Sequence, residues 1–192
     1  MYWTDEGYLL SKNNFDENSI IIEAFTLEHG KYSGIVYGGS SRKNKKNFQI
    51  GNKILLNWKS KNENRTGYFN VELIKPISPY YFEDKKKTTC ILAAASILKI
   101  LLPERQTNKR IYLSFEKMLL DLSLDNWINL YIHWELSLIK DLGFESSVTK
   151  ISTDKNVKQA LAMNRNLLME NFIIPNRLRF PLFRNILEKY FV

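Results

Sequence analysis

The chain has 192 residues, 44% of them hydrophobic and 13% aromatic, which is enough to bury a core and excludes global disorder. A single cysteine, Cys90, excludes an internal disulfide framework and a cysteine-based zinc site. The formal charge of +8 favours a polyanion as partner, either nucleic acid or an anionic membrane surface, and bears on association rather than on fold.

The longest apolar run, residues 90–102, contains Lys99 and is too short to span a bilayer. The first ten residues, MYWTDEGYLL, have acids where a secretory signal has bases. The expectation is a cytoplasmic protein that does not enter a membrane.

Residues 5–75 read as strands. EGYLLSK leads through the turn NNFDENS to the β-branched run IIIEAFTL, and His29-Gly30 closes that strand. YSGIVYG is next, followed by the basic loop GGSSRKNKKNFQIGN at 38–52. In NKILLNWKS, Ile54, Leu56 and Trp58 recur with a period of two, and after the turn KNENRTG the strand YFNVELI keeps that period. Short strands spaced by turns predict a small closed or partly open barrel. Pro76 and Pro79 mark a boundary, because proline cannot continue a central strand. The predicted units are a β-domain, residues 1–78, and a helical domain, residues 79–192.

From about residue 80 the period becomes helical. EDKKKTTCILAAASILKILL is the first predicted helix, ended by Pro103. NKRIYLSFEKMLLDL and DNWINLYIHWELSLIKDLG show i, i+3, i+4 apolar spacing, with Gly143 as a C-terminal cap. NVKQALAMNRNLLMENF and PLFRNILEKYF complete the set, the last started by proline.

The sequence offers little to catalysis. It has no GxxxxGK[ST] loop and no dinucleotide-binding glycine fingerprint. The two histidines lie outside any zinc-ligand spacing: His29 reads as a turn residue and His133 as a part-buried residue on a helix. Asp5-Glu6 and Asp16-Glu17 are adjacent pairs without the opposed geometry of acid–base chemistry. Cys90 reads as a small core residue. A binding module is expected rather than an enzyme, with no cofactor and no metal.

A small barrel with a basic loop and exposed aromatics is a recurrent solution for single-stranded nucleic acid: cations follow the phosphates while bases stack on rings. The β-half offers Tyr8, Tyr32, Tyr37, Phe48, Trp58, Tyr68 and Phe69. Most of these should fill the barrel, since aromatics are more often packed than exposed. Tyr37 and Phe48 flank the basic loop and are the stacking candidates. The expected DNA contacts are therefore Arg42, Lys43, Lys45, Lys46, Lys53, Tyr37 and Phe48, with a second basic run at Lys85, Lys86 and Lys87. Arg105, Lys109 and Arg110 form a third cluster, and Arg177, Arg179 and Arg184 a fourth.

The ordered motifs resemble a known family. The stretch from Asp5 to Asn52, with Thr26, Glu28, Gly30, Gly38, Gly39, Arg42, Gln49, Gly51 and Asn52 on its pattern, is similar to the amino-terminal domain of the bacterial recombination mediator RecO. LLPER (101–105) followed by Tyr112, and WELSLIKDLGF (134–144), resemble that family's helical domain. The resemblance implies an α+β protein: an N-terminal five-stranded oligonucleotide-binding-type (OB) barrel followed by a C-terminal helical domain. It implies a non-enzymatic role in DNA repair and recombination: binding single- and double-stranded DNA, annealing strands, and helping RecA, together with RecR, to load onto DNA covered by the single-strand-binding protein SSB. It also implies nucleoid association and capture of the acidic SSB tail, for which Arg105, Lys109, Arg110, Leu113 and Phe115 are the candidates.

Ser40 stands where many relatives carry Arg, and Ile50 where they carry Pro. Only ESSVTKISTDKNV separates Phe144 from the next helix, without the cysteines of the zinc-type insert that many relatives place there. The competing classes are a protein–protein adaptor that does not touch DNA and a membrane-surface protein, the latter disfavoured by the lack of a long helix with one continuous basic face.

Overall fold

The computed structural model describes residues 1–41, 44, 47–61, 66–144 and 156–191. Hydrophobic alternation sets the strands. In β4 (Lys53–Lys59), Ile54, Leu56 and Trp58 are buried and the positions between them face outward. With β1 (Tyr2–Asn14), β2 (Ser19–Thr26), β3 (Gly30–Tyr37) and β5 (Gly67–Lys75) it closes into a barrel in the order β1-β2-β3-β5-β4.

β1 makes closure possible by serving two neighbours. Tyr2–Tyr8 pair with β4, and Gly7–Asn14 pair with β2. A break in register between Leu9 and Ser11 leaves Leu10 without a partner on β2, the mark of a bulge that bends the strand. Leu9 thereby enters the barrel interior, and Leu10 joins the helical core outside it. β3 and β5 complete the circuit in parallel at Gly34–Gly67 and Ile35–Tyr68.

A 3₁₀ turn, Ser78–Tyr81, leads to the helices. α1 (Lys85–Leu101) starts at Asp84, whose carboxylate accepts the backbone N–H groups of Lys86 and Lys87. Its Ala93, Ala94 and Ala95 are fully buried. α2 (Lys109–Asp121) is capped by Asn108. α3 (Trp127–Asp141) ends as expected at Gly143: its φ of 94° is left-handed, and the N–H groups of Phe144 and Gly143 bond back to the carbonyls of Ile139 and Lys140. α4 (Val157–Leu168) runs into a π-helical turn, Met169–Ile173, and α5 (Leu182–Lys189) follows Pro181. α1 packs closely on α5 and on β1, while α3 packs on α2 and α4. His133 departs from expectation: it is exposed on α3, not part-buried.

Barrel and helices share one core. Tyr8, Leu10 and Phe25 lie in the same buried cluster as residues of α1, α2 and α3. Ring centroids are 5.4 Å apart for Tyr8–Tyr112 and for Tyr8–Phe115, and 5.6 Å for Phe25–Tyr112. Gly51 (φ +89°) seals the same junction, where a Cβ would come within 2.3 Å of the Ile91 side chain.

Candidate nucleic-acid interface

Two connections, the β1–β2 turn and the beginning of the long β3–β4 loop, meet the start of β5 at one end of the barrel. The Ser40 hydroxyl donates to the Glu17 carbonyl (2.9 Å), and the Ser40 N–H points to the carbonyl of Asn18 (3.5 Å). Tyr37, the last residue of β3, lies opposite Ser19 at the start of β2. On its other side its ring approaches Tyr68 of β5 at 6.1 Å between centroids. Tyr37 is 66% exposed and Tyr68 40%, so this end presents an open aromatic pair.

The β3–β4 loop is built from successive local bonds. The Asn44 side chain donates to the Gly38 carbonyl, the Asn47 N–H to that of Asn44, and the Asn52 side chain to that of Asn47. Its return is clamped to β1 by reciprocal bonds, Gly51 N–H to Leu9 O (2.8 Å) and Leu9 N–H to Asn52 O (3.1 Å). Lys12, Asn14, Ile20, Gly39, Ser40 and Phe48 line a pocket of about 200 Å³ beneath it. Arg42, Lys43, Lys45 and Lys46 lie outside the described residues.

Two of the expected DNA contacts are corrected by burial and pairing. Phe48 is only 3% exposed and belongs to the barrel's own core, because the returning loop folds its ring inward; it has no face left for a base. Lys53 is held between Glu6 and Glu116 at 2.7 and 2.9 Å, so its charge is met within the protein. Burial lowers the affinity of Lys53 for its proton, but the two carboxylates outweigh that and raise its pKa. Glu116 also accepts the Tyr8 hydroxyl at 2.6 Å, which ties β1, β4 and α2 together. Lys85 and Lys86 are exposed and Lys87 half-exposed at the start of α1.

The residues proposed for an acidic tail are not assembled as expected. Phe115 is fully buried against Tyr8 and Trp134 on the inner face of α2. Leu113 is exposed on the outer face. Lys109 pairs with Glu28 (2.7 Å), Arg110 with Asp141 (3.0 Å), and the Arg105 guanidinium lies 5.4 Å from the Tyr32 ring centre. A pocket of about 330 Å³ opens nearby between the Leu102–Asn108 segment and the end of α3, with Asp141 in its wall. In the fourth basic cluster, Arg184 is not a surface residue: it is buried against Glu135.

Asp5 does more than its adjacency to Glu6 suggests: it organises the β2–β3 turn. Its carboxylate accepts the N–H groups of Glu28 and His29 and bonds the His29 ring at 3.0 Å, while that ring stacks on Trp3 at 4.2 Å. An acid one strand away from a histidine-glycine turn was the available signal. Among the described residues no cluster of His, Cys, Asp or Glu is arranged to hold a metal ion.

Comparison with known proteins places this architecture. The model "Recombination protein O N terminal" matches residues 1–77, and "Recombination protein O C terminal" matches residues 83–152. The chain belongs to the RecO family. A DNA repair protein RecO of Roseobacter denitrificans is 35% identical over 146 residues, covering 75% of this chain and 60% of that protein. One from Cereibacter sphaeroides is 32% identical over 148 residues (77% and 62%), and one from Hyphomonas neptunium 35% over 147 residues (75% and 60%). The chain thus spans about 60% of the length of these RecO relatives. The five-stranded barrel is the OB-type domain of the RecO family, and α1–α3 fall largely in its carboxy-terminal part.

Proposed function

We propose that this chain is a DNA-binding mediator of recombinational repair. It holds single- and double-stranded DNA on the loop end of the barrel, anneals complementary strands there, and with RecR helps RecA load onto SSB-coated DNA. The supporting observation is the convergence of the β1–β2 turn, the beginning of the β3–β4 loop and the exposed Tyr37–Tyr68 pair at one barrel end. The sequence of that loop supplies Arg42, Lys43, Lys45 and Lys46. Cations there would neutralise phosphates without reading sequence, and the rings would take unpaired bases. Two strands on one positive surface repel each other less, which favours annealing.

The barrel unit, residues 1–78, together with Lys85, Lys86 and Lys87 at the start of the helical unit, is assigned to DNA, and the rest of the helical unit, residues 79–192, to partner proteins. For the SSB tail Arg105 and the outer face of α2, with Lys109, Arg110 and Leu113, remain the proposed surface, and Phe115, buried in the core, is withdrawn from it. Among the described residues no helix is long and apolar enough to cross a membrane, and a nucleoid-associated cytoplasmic location is part of the proposal.

The test is fluorescence anisotropy of a labelled single-stranded oligonucleotide at several salt concentrations, for the wild type and a variant with Arg42, Lys43, Lys45 and Lys46 changed to alanine. The log–log salt slope should flatten by about 0.7 for each lost contact. An unchanged slope moves the DNA site to the helical half. No binding by the wild type replaces this reading with that of a protein–protein adaptor.

A further inference from the structure

Tyr80, in the turn between barrel and helices, is 74% exposed, more than any other described aromatic residue, and Phe82 is 56% exposed. Tyr81 between them turns inward and packs against the core. The segment is fixed at both ends. The Ile77 and Ser78 N–H groups donate to the Asn52 side chain at 2.8 and 3.2 Å, and the Ser78 hydroxyl donates to the Ile50 carbonyl. Beyond it, the Asp84 N–H and the Thr88 hydroxyl both donate to the Tyr81 carbonyl. Two large rings are therefore held in water by an anchored backbone and do not line any part of the core.

Lys85, Lys86 and Lys87 follow directly. Among the described residues none of the three pairs with a carboxylate, whereas Lys53, Lys99, Lys109 and Arg110 all do. The Lys86 and Lys87 ammonium groups lie 5.2 Å from the Phe191 ring and 5.6 Å from the Tyr81 ring, so side chains of the same cluster steady them. Of the two acids in the segment, Asp84 is engaged by the first turn of α1 and Glu83 is exposed.

We propose that Tyr80 and Phe82 form a second stacking platform for the unpaired bases of a single strand, with Lys85, Lys86 and Lys87 on its phosphates. The inference rests on the DNA-binding reading above and extends it. Ile50 and Asn52, which anchor the platform, belong to the same β3–β4 loop whose sequence carries the basic residues. Stacking on rings tolerates any base, but a duplex hides its base faces. The platform thus selects single strands, whereas the lysines alone would not.

The test uses the whole chain and compares the wild type with Tyr80→Ala/Phe82→Ala on three labelled probes: a single strand, the same strand with abasic sites, and a duplex. Iodouracil-substituted single strand is also photocrosslinked to the wild type. The expected result is single-strand binding weakened at least roughly fivefold in the variant. Binding to the abasic strand and the duplex should be unchanged, and crosslinks should map to Tyr80 or Phe82. Both rings are exposed, so the thermal melt should not move. Equal single-strand affinity and no crosslink at these rings overturn the platform while leaving the barrel site intact. Absence of any single-strand binding by the wild type overturns the reading on which the platform rests. If the variant instead loses only binding to phosphatidylserine vesicles, the surface is a lipid contact and the nucleic-acid assignment is overturned.

Discussion

The Arg184 guanidinium and the Glu135 carboxylate meet in two parallel hydrogen bonds, Nε to Oε1 at 2.6 Å and Nη2 to Oε2 at 3.0 Å, with neither side chain exposed. Nη2 also donates to the Leu161 carbonyl, Nη1 reaches Glu188, and the Tyr131 hydroxyl donates to Glu135, so the pair ties α5 to α3 and α4. Burial works against the Arg184 charge, but Glu135 outweighs it and raises the arginine's pKa. Removing one partner strands a buried charge. Glu135→Ala or Arg184→Ala should each lower stability by about 3–5 kcal/mol in urea unfolding. Glu135→Leu/Arg184→Met should lose much less. An equally large loss in the double variant would assign the effect to packing rather than to the stranded charge.

Phe48 and Tyr37 flank the same loop and should behave oppositely. Phe48→Ala empties part of the barrel core and should lower stability by about 3–5 kcal/mol. Tyr37→Ala should leave stability within about 0.5 kcal/mol while weakening single-strand binding by about 1–3 kcal/mol. Thermal melts and anisotropy on the same two preparations check both arms.

Glu116 makes stability depend on acid. Burial opposes its ionisation, but the Tyr8 hydroxyl and the Lys53 ammonium outweigh that and hold its carboxyl below the usual range. The unfolded chain therefore takes up this proton at higher pH than the folded one. The contribution of Glu116 is complete above the ordinary glutamate value of about 4.3 and is lost as pH falls through the lower folded value. The stability difference between wild type and Glu116→Gln should be constant near neutrality and shrink below about pH 4. A difference that stays flat across that range would show that the ionised carboxylate is not what stabilises the junction.

Gly51 and Gly143 both have left-handed backbones, yet only Gly51 is crowded. A Cβ at Gly51 meets Ile91 at 2.3 Å, whereas nothing lies within 4 Å of one at Gly143. Gly143→Ala should cost about 1–2 kcal/mol for backbone strain alone. Gly51→Ala should add roughly 1–3 kcal/mol of overpacking. Equal losses in denaturant melts would mean that Ile91 moves aside freely.

Strands and helices were legible because alternation and helical spacing are local. Ile54, Leu56 and Trp58 announce β4 in seven residues. The burial of Phe115 was legible too: with Ile111, Tyr112, Met118 and Leu119 it forms one helical stripe that excludes Leu113, so the two residues cannot share one surface slot. The Arg184–Glu135 pair left a subtler trace, a charged residue on an apolar stripe in each of two helices, Glu135 beside Tyr131 and Leu138, Arg184 beside Leu187. The burial of Phe48 and the double pairing of Lys53 had no such trace. Phe48 enters the barrel because its loop returns to β1, and Lys53 finds Glu116 sixty-three positions away. Short-range patterns do not report contacts made by chain return.

The packing of Tyr8, Leu10 and Phe25 into the helical cluster makes the two halves one thermodynamic unit. Opening α2 would expose barrel side chains, and melting the barrel would unroof α1, so neither half has a private folding equilibrium. A ligand that grips only the loop end raises the free energy of every opening that abolishes its site, by RT ln(1 + L/Kd) at free ligand concentration L. Amide protons deep in α1 and α2 should therefore exchange more slowly when a strand occupies the distant barrel tip, with no shift in the mean positions of those helices.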